Sequence, residues 1–430
     1  MNLKAKGTHT TTEFLAQRLL QRWVPKWYEA FIDPQAGGVY ERVGHSFKPV
    51  LTGQRRLLTH CRQLATYSDA VRHEAAKAFK PDLARLFGHI IDTYYVPETG
   101  GWRYSVDDGG APLDNCYDLY TQAFVIFGFS HYFRATGDNR AKELAEKTLV
   151  FIDRYFRVDD LTGLVEALDA DRKPLARPRR HESHMHLFEA CLFAAEVWDG
   201  NVYDAMCAEL AELFTGVFYD RSGRTLSEYY TDDLIPLAQN GHIIAEPGHY
   251  CEWIWLLKKY AAYKGHPDFY DDLCRTLLEW ANRYGWDNAY GGIYDELDPQ
   301  GNIVNDTKRI WPFSEALKAN ALMLDAKGID KHFIKQRIFQ MVGVFNEHYM
   351  QERGFWTEWL SRDLKPAVDY MPGTTPYHVY FGIMETREVL QARGQSKSLS
   401  AGVKIALYSM RRRISNGVKS LRTGLKKKRA

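Results

Sequence analysis

Gly37-Gly38-Val39-Tyr40-Glu41 returns along the chain as Gly100-Gly101-Trp102-Arg103-Tyr104, Gly163-Leu164-Val165-Glu166, Gly223-Arg224-Thr225-Leu226, Gly291-Gly292-Ile293-Tyr294-Asp295 and Gly354-Phe355-Trp356-Thr357-Glu358. The first glycines lie 63, 63, 60, 68 and 63 residues apart, which marks an internal repeat. Between the stubs, apolar residues recur at helical spacing. Gly53 to Ala70 pairs with Ala75 to Tyr95, Tyr117 to Ala135 with Ala141 to Phe156, and His186 to Trp198 with Tyr203 to Phe218. His249 to Tyr263 pairs with Pro267 to Tyr284, Ser314 to Asp325 with Lys331 to His348, and Tyr377 to Ala392 with Thr12 to Phe31. Helix pairs that cannot bury their faces alone must stack, and six of them predict an all-α fold. The expected form is an (α/α)6 barrel of six helix pairs with short β-hairpins on its rim. An open α-solenoid is the competing architecture, disfavoured because its repeats run about 33 to 47 residues.

The 430 residues are 45% hydrophobic and 14% aromatic, enough for a large core, and 26% charged, as in a soluble globular chain. No stretch approaches the roughly twenty unbroken apolar residues of a membrane span, and Met1 to Thr12 has no apolar signal region, so a cytoplasmic location is expected. Cys61, Cys116, Cys191, Cys207, Cys251 and Cys274 lie far apart without a C-x-x-C, which fits reduced thiols. The net charge of +2 hides a division. After Glu388 come twelve Lys and Arg and no acid, which leaves 44 basic against 54 acidic residues in the rest.

Residues 1–395 are therefore expected to form the barrel and 396–430 a basic amphipathic tail. In the tail Val403, Leu407, Met410, Ile414, Val418, Leu421 and Leu425 recur at spacings of 4, 3, 4, 4, 3 and 4. That pattern predicts peripheral contact with an anionic membrane at its inner face. A solvated tail or a helix docked on the acidic body is the alternative, and Gly417 and Gly424 weaken helix formation. Nucleic acid is not an expected partner, since no aromatic platform accompanies the charge. Nothing in the sequence indicates an oligomeric state.

Chemistry concentrates in Glu246-Pro247-Gly248-His249-Tyr250-Cys251-Glu252-Trp253-Ile254-Trp255. Pro247 suits a first helical turn with Glu246 as its cap, and His249, Glu252 and Trp253 then share one helical face. Two further places among the fifteen histidines are dense: Arg180-His181-Glu182-Ser183-His184-Met185-His186, and Pro376-Tyr377-His378. His181, His184 and His186 suggest a metal, but His184 and His186 would point to different faces and no known zinc spacing is completed, so no metal is expected. Each dense histidine falls at an inner-helix entrance, at one end of the ring, where the three would converge.

Arg180 with Met185-His186-Leu187-Phe188-Glu189-Ala190, then Glu246-Pro247-Gly248-His249-Tyr250-Cys251-Glu252-Trp253, then Lys308-Arg309-Ile310-Trp311-Pro312-Phe313-Ser314-Glu315-Ala316, then Pro376-Tyr377-His378 resemble the N-acylglucosamine 2-epimerase family. The family includes mannose and sulfoquinovose isomerases and cellobiose 2-epimerases. Gln54-Arg55-Arg56 through Arg62 to Ser68 and Tyr117 to Phe124 are similar to its first two inner-helix motifs, so the resemblance spans residues 12 to 390. It implies the same barrel and cofactor-free proton transfer at C2 of an open-chain sugar. It further implies His249 and His378 as the acid/base pair, with Arg62, His186, Glu252, Trp311 and Glu315 lining the pocket. Glu182, Ser183 and His184 depart from the small or amide residues of relatives, which bears on specificity.

The residue chemistry agrees. A proton beside a carbonyl needs a base near neutral pH and stabilisation of the enediolate, which histidine and Arg62 can supply. Glu252 or Glu315 can hold an imidazole in one tautomer. Glu246 completes the polar set, and Trp253, Trp311 and Trp356 offer flat faces to a sugar ring. The expected activity is aldose-ketose isomerisation of a free monosaccharide of the mannose-fructose type, with 2-epimerisation as the alternative. A glycoside hydrolase using two of Glu246, Glu252, Glu315 and Asp295, and a non-catalytic sugar-binding protein, are further alternatives.

Overall fold

The computed structural model describes residues 11–198 and 201–392. The tail at 396–430 lies outside the described residues, and so does its predicted amphipathic helix. α1 (Thr11–Arg18) passes through a π turn (Leu19–Trp23) into α2 (Val24–Phe31). The remaining helices are α3 (Leu57–Ala70), α4 (Leu83–Tyr94), α5 (Leu119–Thr136), α6 (Asn139–Tyr155), α7 (His181–Trp198), α8 (Asn201–Leu213), α9 (Pro247–Tyr263), α10 (Asp271–Trp280), α11 (Ile310–Met323), α12 (Lys331–Val344) and α13 (Thr375–Ala392).

Helices α3, α5, α7, α9, α11 and α13 pack each on the next, and α13 returns to α3, so the ring is closed and not an open solenoid. α4, α6, α8, α10 and α12 lie outside their partners, and α1 covers α13. Sequence explains the two layers. Every residue of α3 is buried, as suits a helix walled on all sides, whereas α4 and α6 bury one stripe. Close approach of inner helices needs small residues: a Cβ on Gly128 of α5 would lie 2.8 Å from the Cys61 carbonyl oxygen of α3.

Several helices start earlier or later than apolar periodicity indicates. α7 begins at His181 and not His186, because its first turns bury histidines that carry no apolar signal. α11 begins at Ile310, with Pro312 tolerated in the first turn. α3 begins at Leu57 and α4 at Leu83, with a 3-10 turn at Glu74–Ala76 between them.

The rim strands do more than form hairpins. Tyr95–Val96 pairs with Gly101–Trp102 and Tyr219–Asp220 with Thr225–Leu226 inside a repeat. Pairing between repeats joins Arg55–Arg56 to Ser105–Val106, Tyr117–Asp118 to Ala167–Leu168, Arg179–Arg180 to Tyr229–Tyr230 and Lys308–Arg309 to Trp359–Leu360. Ala245 bridges Leu297, and Arg42–Gly44 pairs with Tyr370–Pro372, so the rim closes where the helical ring closes. Each inner helix thereby starts from an anchored strand end.

Candidate active site

A cavity of about 580 Å3 lies where the first turns of all six inner helices meet. Its walls include Arg62 from α3, Tyr120 from α5, Glu182 and His186 from α7, His249 and Glu252 from α9, Trp311 from α11 and His378 from α13. The convergence expected of the three dense histidines is met by His186, His249 and His378.

A repeated carboxylate organises the helix entrances. Glu41 accepts a hydrogen bond from the Arg56 backbone N–H and the Thr59 hydroxyl, and Glu166 accepts from the Arg180 N–H and the Ser183 hydroxyl. Glu228 accepts from the Glu246 N–H at 3.1 Å, and its second oxygen lies 2.8 Å from Nδ1 of His249. His249 thus stands at the third helical position, where α3 and α7 carry a hydroxyl. Glu228 was missed in the sequence because the fourth stub, Gly223 to Leu226, stops two residues short of it. The signal was present: acids stand at 41, 166, 228, 295 and 358, near-multiples of the repeat.

Behind Glu228 a buried relay continues. His181 Nε2 lies 3.1 Å from Glu228, and Trp253 Nε1–H donates to His181 Nδ1 at 3.1 Å. Trp253 is fully buried, stacked on Phe214 at 3.8 Å, and does not line the cavity. Its helical spacing from His249 is right, but the ring is turned into the interface with α7 and the outer layer. Trp356 is likewise in the core, edge-on to Trp27 at 5.2 Å, with its indole N–H donated to Glu358. Both depart from the expected role of sugar-facing rings.

His378 has its own carboxylate, with Nδ1 3.0 Å from Glu315 Oε1. Glu315 lies behind the cavity wall, and its other oxygen forms an ion pair of 2.6 Å with Lys318. The imidazole orienters are therefore Glu228 and Glu315. Glu252 holds neither catalytic candidate.

Trp311 lies between the two histidines, 4.8 Å from the His249 ring and 5.5 Å from the His378 ring, centroid to centroid. Its position dictates Gly248: a Cβ there would lie 2.6 Å from the indole. The glycine of the Glu-Pro-Gly-His stretch is thus a packing requirement. Glu246 precedes the helix but makes no side-chain cap; its carboxylate pairs with Arg309 at 3.0 Å. The unpaired N–H groups of the first turn draw it less than a guanidinium does.

Arg62 donates to the Tyr120 hydroxyl at 2.5 Å and lies 4.4 Å from the Phe124 ring and 4.8 Å from the Tyr377 ring. Among the described residues it has no carboxylate partner. His186 Nδ1 is 3.0 Å from Glu189, which also accepts from the Tyr377 hydroxyl. Both Glu252 oxygens are buried without a hydrogen-bond partner in the protein, although the side chain lines the cavity. Arg180 and Glu182 form an ion pair in the same wall.

Burial and charge drive the two catalytic candidates apart. Burial opposes a charge on His249, but the Glu228 carboxylate more than compensates and raises it above the ordinary value. Burial pushes His378 down to about 3, against the pull of Glu315. Burial, then the charges of Glu315 and Glu189, hold Glu252 well above the ordinary carboxylate range. The surroundings therefore favour the protonated forms of His249 and Glu252 and leave His378 a neutral imidazole at neutral pH. Environments that separate two like groups mark an acid and a base.

His181, His184 and His186 do not converge on one point. His184 Nε2 accepts from the Leu164 backbone N–H at 3.0 Å and its Nδ1 faces the Arg180 carbonyl, as His60 does for Val39 and Arg56 in the first repeat. Two groups, His181 with Glu228 and His249, and His186 with Glu189 and Glu252, are close enough to hold a metal ion. The first is a set of histidine nitrogens turned toward one carboxylate; in the second Glu252 stands 3.8 Å from His186 Nδ1 without a hydrogen bond.

Similarities to known proteins agree with this arrangement. The sequence profile of the family N-acylglucosamine 2-epimerase (GlcNAc 2-epimerase) matches residues 38–382. A mannose-6-phosphate isomerase of Rhizobium meliloti (strain 1021) is 25% identical over 390 residues, covering 89% of this chain and 98% of that protein. A cellobiose 2-epimerase of Bacteroides fragilis is 27% identical over 304 residues, covering 68% of this chain and 76% of that protein. The crystal structure of a D-mannose isomerase superposes with a TM-score of 0.79 at 20% identity, over 88% of this chain and 98% of that one, and has the same fold.

Proposed function

The chain belongs to the N-acylglucosamine 2-epimerase family, and from that premise we propose that it is an aldose-ketose isomerase acting on a free monosaccharide of the mannose-fructose type. The reaction runs by metal-free histidine proton transfer through an enediolate. Neutral His378 takes the C2 proton and delivers it to C1, while His249, kept protonated by Glu228, gives a proton to the C1 carbonyl oxygen and takes one back from the C2 hydroxyl as the ketone forms. Arg62, which has no carboxylate partner among the described residues, stabilises the developing oxyanion. Glu252 donates a hydrogen bond to a sugar oxygen, and Trp311 offers its face to the substrate between the two bases.

The observation that carries this reading is the opposed bias of the two histidines. In isomerisation the proton leaves C2 and returns at C1 through one base, so His378 ends neutral and His249 ends charged. Epimerisation across opposite faces would leave His378 protonated and His249 neutral, against both surroundings, until solvent reset them. The D-mannose isomerase and mannose-6-phosphate isomerase among the relatives support isomerisation, and the cellobiose 2-epimerase supports the alternative.

Proton NMR in D2O with mannose, fructose, glucose and N-acetylglucosamine tests it. A new ketose signal with deuterium at C1 is expected. Recovery of only the C2 epimer, deuterated at C2, replaces the reading with an epimerase, and no exchange with any sugar removes catalysis. Histidine-to-asparagine replacement separates the hydrolase reading, because a carboxylate pair would hydrolyse without His249 or His378. Among the four acids considered for hydrolysis, Glu246 and Glu252 line the cavity, whereas Asp295 serves Arg309 and Glu315 serves His378.

We further propose that residues 396–430 attach the enzyme to anionic lipid on the cytoplasmic side. On a helix of 100° per residue the seven apolar tail residues fall within an arc of roughly 80°. Among the described residues no helix is long and apolar enough to cross a membrane. Sedimentation with phosphatidylserine vesicles is expected for the full chain and lost on deletion of 396–430; equal binding by both removes the proposal.

A further inference from the structure

Below the cavity floor one ammonium stands among four carboxyl groups. Lys318 is one turn beyond Glu315 on α11, 3% exposed, with its Nζ 2.6 Å from Glu315 Oε2 and 4.4 Å from the centre of the Trp255 ring. Glu189 of α7, Glu252 of α9 and Glu385 of α13 also face it. Around this cluster stand Arg62 of α3 and His186 of α7. α9 adds His249 and Lys259, and α13 adds Tyr377, His378 and Glu388.

Three buried carboxyls and the half-buried Glu385 cannot all ionise around one cation, and proximity selects which one does. We propose that Lys318 is a positioning residue for His378: by keeping Glu315 ionised, it keeps the Nδ1–H of His378 pointed at Glu315 and leaves the Nε2 lone pair free for the substrate. The inference rests on His378 as the base of the proposed reaction. It is supported by the charge balance. Burial opposes ionisation of Glu315, yet Lys318 and His378 hold it at about 2. Burial keeps Glu189 and Glu252 raised and pushes Glu385 up to about 8. Trp255 supplies a π face that offsets part of the cost of burying the ammonium.

Removing Lys318 reverses the polarity of the Glu315 to His378 contact. A protonated Glu315 is a donor, so Nδ1 of His378 must accept and the ring proton moves to Nε2, where the imidazole cannot take a proton from carbon. Because Glu315 would ionise again as pH rises, the defect should be recoverable. A packing role would give a loss that pH does not repair.

The test is the pH dependence of kcat and KM for mannose in Lys318→Met and Lys318→Arg, with His378→Asn alongside. Lys318→Met should lower kcat on the order of tenfold or more relative to the parent at pH 6.5 and leave KM within about threefold, with the kcat ratio to the parent at the same pH returning toward one by pH 9, while Lys318→Arg keeps the parent profile. Nitrogen-15 NMR of the His378 ring should report the proton on Nε2 in Lys318→Met at pH 6.5 and on Nδ1 in the parent. If the methionine variant does not fold, Lys318→Gln, uncharged but still able to donate to Glu315, carries the same expectations. A parent-like profile, or a loss equal at every pH, overturns the role of Lys318. Retained turnover in His378→Asn instead overturns the proposed base and leaves the fault there.

Discussion

The Glu228 carboxylate lies 2.8 Å from Nδ1 of His249 across 21 residues of chain, in the position from which Glu41 and Glu166 grip the hydroxyls of Thr59 and Ser183. A structural tie that fastens helix entrances elsewhere in the ring meets, in one repeat, an imidazole whose charged form it favours.

Glu228→Gln should therefore act on the alkaline side of the pH profile. In the proposed reaction His249 acts protonated, so activity is lost as pH rises through its value, which Glu228 raises above the ordinary one. Without the carboxylate the largest influence opposing burial is gone, and this limb moves to lower pH. The expected loss in kcat at pH 7.5 is on the order of a hundredfold or more. Steady-state kinetics across pH checks it, and an unmoved alkaline limb contradicts the assignment.

Gly248→Ala sets two effects against each other. Alanine is favoured over glycine in a helix by about 1 kcal/mol, but overpacking costs about 1–3 kcal/mol. With the added carbon 2.6 Å from Trp311, the clash should win. A lower Tm together with reduced kcat is expected, and a raised Tm with parent kcat would show that Trp311 yields freely.

His184→Ala separates structure from chemistry. It removes the acceptor of the buried Leu164 N–H, costing about 1–3 kcal/mol before any cavity term. Chemical denaturation should show the loss while kcat per folded molecule stays within about twofold.

Trp253→Phe tests whether this ring touches sugar. Its indole N–H serves His181 behind Glu228, so one hydrogen bond is lost from the relay. A fall in kcat of about two- to tenfold with unchanged KM is expected. A rise in KM alone would return Trp253 to the substrate surface.

Much of this was legible along the chain. The stubs at Gly37, Gly100, Gly163, Gly223, Gly291 and Gly354 announced six repeats, and the dense histidines fell where inner helices begin. Boundaries were less legible at α7, where His181 to His186 form buried helix without apolar periodicity. Helical spacing placed His249, Glu252 and Trp253 on one side of α9, but it could not separate a ring turned into packing from a carboxylate turned into the cavity. Glu252 and Trp253 are consecutive and point about 100° apart on the helix, enough for the cavity to take one and the packing the other.

Local periodicity belongs to the chain itself, because 3.6-residue spacing and recurring glycine turns are written in neighbouring residues; the number of helix pairs and the helices that carry His186, His249 and His378 follow from it. The acid and base assignments belong to the folded ring. They depend on Glu228 meeting His249 over 21 residues and favouring its proton against burial, and on burial outweighing Glu315, which meets His378 over 63 residues.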